Sequence, residues 1–199
     1  MTESKPTEER RKEIVEAARQ LFLARGYEAT STSDIMNAVG IAKGTLYYHF
    51  ASKEEILDAL LDEMTDEMEK AARPFGKGCG LPVPDRMIGV IRALHIGDGR
   101  IVDALHLPQN ALFHQKSHAL TIEKIAPVML EIVEDGIRQG LFRTDYSMSA
   151  VEMALSYSMA GFEYGCIPNA ERIRGFLYNM ERMLGADEGS LGKLRVLFD

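Results

Sequence analysis

The chain has 199 residues, 46% of them hydrophobic and 27% charged, with a net charge of −7. That is a globular composition with enough apolar material for a full core. No run of about 18 apolar residues occurs, so no membrane span is expected. The polar start MTESKPTEERRKE lacks the apolar stretch of a secretory signal. Cys79 and Cys166 are too few for a disulfide framework and suit a reducing cytoplasm.

The charge is unevenly distributed. Residues 1–53 hold eight Lys/Arg and seven Asp/Glu, so all of the negative excess lies in the remainder. An acidic body behind a near-neutral head turns the head toward phosphate. Alternating β-branched runs are absent and helical periods dominate, which predicts an all-α fold.

The first helix is predicted from Glu8 to Arg25, with Thr7 as its cap and Ile14, Ala17, Ala18, Leu21 and Phe22 on one face. Gly26 ends it and Tyr27 follows as the apolar residue. Ser31 with Asp34 reads as a capping-box variant opening a short helix that turns Ile35 and Val39 inward. Gly40 and Ile41 form the turn to a second short helix over Lys43 to His49. Ser52 with Glu55 opens a longer helix through Ile56, Leu57, Leu60, Leu61, Met64 and Met68 to about Ala72. From Arg73 to Pro84, Pro74, Gly76, Gly78, Gly80, Pro82 and Pro84 make a loop between head and body.

In the body, helices are predicted over Asp85 to Leu94 and Arg100 to Leu107, with Gly97-Asp98-Gly99 as the turn between them. A helical period runs from Ser117 to Gln139, where Pro127 marks a kink or the start of a second helix. Further helices cover Tyr146 to Tyr164 and Ala170 to Leu184, the latter capped by Asn169. The apolar tail after Gly185 packs as a short extra helix. Two domains follow, at 8–68 and 69–199.

Residues 40–57, GIAKGTLYYHFASKEEIL, carry most of the information. Gly40 stands where a tight turn needs positive φ. Lys43, Thr45, Tyr47, Tyr48 and His49 then crowd donors and aromatics onto two helical turns. Such a segment is a poor core element and suits a recognition helix in the major groove.

On RKEIVEAARQLFLARGY and STSDIMNAVGIAKGTLYYHFASKEEIL the head resembles the tetracycline-repressor-like (TetR/AcrR) family of bacterial transcription regulators. EIVEDGIRQGLFRTD at 131–145 is similar to the family's junction before its last two helices. The resemblance implies an all-α fold with a helix-turn-helix head joined through a fourth helix to a ligand-binding and dimerisation body. It further implies a cytoplasmic homodimer on a palindromic DNA operator, usually a repressor, that leaves DNA when a small molecule enters the body. Ala42 departs from the family, which often has a hydroxyl residue capping the recognition helix; Met36 and Asn37 replace more typical residues.

Specific roles follow for the head. Ser31 and Thr32 offer hydroxyl and backbone N–H groups to phosphate. Lys43 reaches a base edge or a phosphate, and Gly44 lets the backbone approach closely. Thr45 bonds a base edge or packs on a thymine methyl. Tyr47 and Tyr48 meet phosphate, sugar or thymine methyls; His49 and Lys53 contact phosphate. Leu46 and Phe50, four apart, face inward.

In the body, Val151, Leu155, Ser158, Met159 and Phe162, with Ile173, Phe176, Leu177, Met180, Met183 and Leu184, recur at helical spacing and are expected at a homodimer interface, chiefly on the resemblance. Eleven methionines suggest an adaptable interior. Met64, Met68, Met87, Ile91, Leu94, His95, Phe113, Met129 and Tyr157 are the candidate lining of an effector pocket for a small apolar or amphipathic ligand. His114 and His118 stand i, i+4, but no glutamate follows as in a zinc hydrolase, so they are read as hydrogen-bonded rather than metal-bound. No cofactor is expected. Two alternatives stand beside ligand-controlled repression: a DNA-binding regulator without a small-molecule effector, and a helical enzyme, for which no nucleophile elbow, phosphate-binding loop or metal cluster is evident.

Overall fold

The computed structural model describes residues 7–94, 111–163 and 170–198, with 160–163 as backbone only. The regular elements among them are all helical. They are α1 (Thr7–Arg25), α2 (Thr32–Val39), α3 (Lys43–His49), α4 (Lys53–Ala72), a 3₁₀ turn (Arg73–Phe75), α5 (Val83–Ala93), α6 (Ala111–Arg138), α7 (Ser147–Glu163), α8 (Ala170–Leu184) and a closing 3₁₀ segment (Gly192–Leu197). The helix expected over 100–107, the turn at 97–99 and the Asn169 cap lie outside the described residues.

Two helix starts differ from expectation by more than one residue. α5 starts at Val83 rather than Asp85, because Pro84 falls in the first turn, where a missing N–H leaves no intrahelical bond unmade. α6 is one helix that passes through Pro127 and begins six residues earlier than predicted. Pro127 lies on its exposed face, where the carbonyl it leaves unpaired can turn to solvent.

The chain divides into two compact units, the first formed by the described residues of Met1–Met64 and Asp98–Ser117, the second by those of Thr65–Gly97 and His118–Asp199. In the first, α1 packs on α2 and α2 on α3. Ile14, Val15, Ala18 and Phe22 of α1, Ile35 of α2, Leu46 of α3 and Ile56, Leu57 and Leu61 of α4 are buried. Tyr27 closes the end of α1, its ring edge-on to Phe22 at 5.2 Å between centroids. Phe113 and Ser117, from the first turns of α6, are buried in the same unit.

The second unit has its own core. Val83, Met87, Val90 and Ile91 of α5 join Ile125, Val128, Met129, Ile132 and Val133 of α6, Val151 and Leu155 of α7, and Phe176, Leu177, Met180 and Leu184 of α8. The tail belongs to it through Leu191 and Leu194. The buried Glu181 carboxylate holds that tail in place, accepting the Leu191 N–H at 2.9 Å and the Gly189 N–H at 3.0 Å. Arg86, also buried, donates from Nε to the Phe75 carbonyl at 2.9 Å and from Nη1 to Asp135 at 2.8 Å. The Arg86–Asp135 bond, with Arg138 as a second partner, holds the Asp135 carboxyl below its usual pKa.

Candidate nucleic-acid interface

The head sets its recognition helix with two caps and a glycine. The Ser31 hydroxyl accepts the Asp34 N–H at 3.2 Å, and Asp34 Oδ2 accepts the Ser31 N–H at 2.8 Å, a closed capping box. Arg25 adds an ion pair to Asp34 at 2.7 Å. The Ser31 bonds, then Arg25, lower the Asp34 pKa to about 2. Gly40 ends α2 at φ 72°, a left-handed conformation that disfavours a Cβ, and the N–H groups of Gly40 and Ile41 return to the Met36 carbonyl at 2.9 and 3.0 Å. α3 begins at Lys43 without a side-chain cap from Ala42, as its sequence implies. Across the next turn, Ser52 Oγ accepts the Glu55 N–H at 3.1 Å, while Glu55 accepts the Ala51 N–H at 2.5 Å.

These anchors leave α3 standing outward. Leu46 is 1% exposed and the capping residue Phe50 equally buried, whereas Tyr47 is 45% and Tyr48 75% exposed. Lys43 and Gly44 are exposed, Thr45 and His49 half-buried. A Cβ on Gly44 would meet nothing within 4 Å, so the chain itself does not require glycine there. The Lys43 ammonium lies 5.8 Å from the Tyr47 ring centroid, and Tyr48 meets His49 edge-on. Ser31 is exposed and Thr32 half-buried at the start of α2. The result is a seven-residue helix with one buried hydrophobic and a face of donors and rings, able to bond base edges and phosphates.

Lys53 differs from its expected role. It is half-buried, donates to the Tyr27 carbonyl at 2.8 Å and lies 4.0 Å above the Tyr27 ring. Its ammonium is engaged inside the unit because the Tyr27 carbonyl and ring face just beyond the end of α1 together offer a better site than solvent.

The second unit contains a narrow apolar cleft lined by Met87, Ile91, Met129, Ala150, Val151, Ala154, Leu155, Ser158, Met180, Met183 and Leu184. Its free volume of about 10 Å³ leaves room for about one water. The Ser158 hydroxyl donates to Ala154 within α7. Of the expected effector lining, Met87, Ile91 and Met129 reach this cleft. Leu94 and Met68 belong to the surrounding core instead. Met64 and Phe113 lie in the first unit. Tyr157 is exposed and stacks on Phe176 at 4.9 Å. His95 lies outside the described residues.

The expected interface residues are also displaced. Val151, Leu155, Met180 and Leu184 line the cleft, and Phe176 and Leu177 are core, all buried within the single chain. A side chain already removed from water by its own unit has no apolar area left to give a partner. Met159 and Ile173 are half-buried, and the Phe162 side chain is outside the described residues. The outward apolar side chains on these helices are Met148, Met153, Tyr157 and Tyr178. α7 is apolar on most sides, so its helical period could not tell the inner stripe from the outer one.

Comparison with known proteins fits this arrangement. The model of bacterial regulatory proteins, tetR family, matches residues 14–60, and the model of the tetracyclin repressor-like C-terminal domain matches residues 97–164. The HTH-type transcriptional repressor KstR2 of Rhodococcus jostii (strain RHA1) is 29% identical over 163 residues, covering 74% of this chain and 74% of that protein. KstR2 of Mycobacterium tuberculosis (strain H37Rv) is 28% identical over 155 residues, 71% of this chain and 74% of its own length. Among solved structures, RolR in complex with the ligand resorcinol aligns with a TM-score of 0.63 at 18% identity, over 97% of this chain and 94% of that one. An outward recognition helix behind a closed capping box, a separate helical body, and family models matching both parts lead to one conclusion: the chain belongs to the tetR family of bacterial regulatory proteins and is a DNA-binding transcriptional regulator.

Proposed function

We propose that this chain is a transcriptional repressor that binds a palindromic operator as a homodimer and is released by a small apolar ligand. The observation that carries DNA binding is α3, with Tyr47 and Tyr48 exposed around a single buried Leu46. Repression is supported by the KstR2 relatives, which are named transcriptional repressors. Base-edge contact is assigned to Lys43 and Thr45, and phosphate or sugar contact to Ser31, Thr32, Tyr47, Tyr48 and His49, with Gly44 admitting the duplex closely. Two heads on a twofold axis would read half-sites about 34–36 Å apart. The outward Met153, Tyr157 and Tyr178 are the side chains offered to a second copy.

The effector site is assigned to the cleft between α5, α6, α7 and α8, where Met87, Met129, Met180 and Met183 can repack around an apolar guest. RolR, a protein of this fold, holds the ligand resorcinol. A ligand preferring the state with the wrong head spacing would lower operator affinity by its differential binding. The tightness of the cleft favours a second possibility, a regulator without a small-molecule effector, since a guest larger than one water must first move side chains.

Selection of duplexes from a random pool by the purified protein tests the first claim. A palindromic sequence should emerge, and Thr45→Ala should change preference at one base position. Failure to enrich any sequence would remove the proposal. Native mass spectrometry of the purified dimer tests the second, a retained small molecule supporting effector control and its absence favouring the alternative.

A further inference from the structure

The first turns of α4 are acidic, with Glu54, Glu55 and Asp58. Acid at a helix N-terminus complements the helix dipole. Here, however, α4 follows the recognition helix almost without a break. Glu54 is four residues beyond Phe50, at most about 14 Å of chain, comparable with the Debye length of about 10 Å at 0.1 M salt. Carboxylates so placed repel the phosphates that α3 approaches.

Glu55 is engaged by the Ala51 N–H. Glu54 and Asp58 are answered from a distant part of the sequence: Lys116 Nζ lies 2.7 Å from Glu54 Oε1 and 2.7 Å from Asp58 Oδ1. Both carboxylates raise the Lys116 pKa, Asp58 first, so the ammonium stays charged. Lys116 stands between Phe113 and Ser117, whose burial seats the first turns of α6 in the same unit. α6 also carries Met129 of the cleft.

We propose that Lys116 is a charge-compensating positioning residue for operator binding: docked on Glu54 and Asp58, it offsets one of their two negative charges beside the recognition helix, and withdrawal of the first turns of α6 restores that charge and repels DNA. The assignment rests on the operator-binding function above. It makes α6 an electrostatic lever on affinity, acting without any contact between Lys116 and a base.

The test uses the full-length protein and a duplex enriched by the wild-type protein from a random pool. Lys116→Gln should bind that duplex several-fold more weakly near 0.1 M salt. The deficit should shrink near 0.5 M, where screening shortens the repulsion. Lys116→Arg should bind as wild type. Adding Glu54→Gln and Asp58→Asn to Lys116→Gln should restore affinity although no ion pair remains. A merely mechanical clamp predicts the opposite: the triple variant stays as weak as the single one, at every salt concentration. Should Lys116→Gln fold poorly in thermal melts, Glu54→Gln/Asp58→Asn in the wild-type background decides, with tighter binding expected and unchanged or weaker binding overturning the proposal. If the wild type enriches no duplex, operator binding itself fails. If it enriches one and the variants leave affinity unchanged, charge compensation alone fails.

Discussion

Lys53 and Tyr27 form a staple between the start of α4 and the end of α1: the ammonium donates to the Tyr27 carbonyl at 2.8 Å and sits 4.0 Å over the same residue's ring. A lysine held in this way stabilises the head rather than neutralising a phosphate. Lys53→Ala should cost about 1–2 kcal/mol of stability, from a charged hydrogen bond and a cation–π contact. The salt dependence of operator binding should stay as in wild type. Chemical denaturation and a salt titration measure the two effects, and a slope reduced by about one unit would place the ammonium on a phosphate instead.

The outward side chains of α3 should behave in the reverse sense. Tyr48→Ala removes an exposed ring and should leave stability within about 0.5 kcal/mol, while lowering affinity for the selected operator. Lys43→Ala should reduce the salt slope by about one unit if its ammonium meets a phosphate, or relax preference at one base pair if it meets a base edge. Gel shifts against the operator and single-base variants separate the outcomes.

Asp34 gives the head an acid-sensitive joint. Its pKa is lowered to about 2 by the Ser31 bonds and then Arg25, below the unperturbed value of about 3.9. A carboxylate depressed in the folded state contributes stability that is complete above the unfolded pKa and is lost as pH falls through the folded one. Wild-type stability should therefore decline between about pH 4 and pH 2. Asp34→Asn should be less stable at neutral pH and should show a shallower decline across that window, as read from urea midpoints against pH.

The two apolar stripes of α7 can be separated experimentally. Leu155 is buried against the cleft, so Leu155→Ala should destabilise the second unit by about 2–5 kcal/mol. Met153 is 61% exposed. Met153→Asp should leave the thermal midpoint of the body nearly unchanged and shift the protein from dimer to monomer in sedimentation at micromolar concentration. A dimer untouched by that charge would move the interface elsewhere.

The sequence by itself determined the all-helical class and the layout of the head. Ser31 with Asp34, Gly40 and Ser52 with Glu55 act over three or four residues, and such signals set a local backbone whatever lies around it. The outward side of α3 was readable for the same reason: Leu46 and Phe50 mark its inner face, and the polar and aromatic residues between them are left the other. Tertiary structure alone decided which stripe of α7 is core, because a helix apolar on most sides has a period but no unique inward direction. It alone turned Lys53 onto Tyr27, a partner 26 positions away, and brought Lys116 to Asp58 across 58. A long cationic side chain reaches whichever acceptor packing places beside it, and separation along the chain carries no record of that choice.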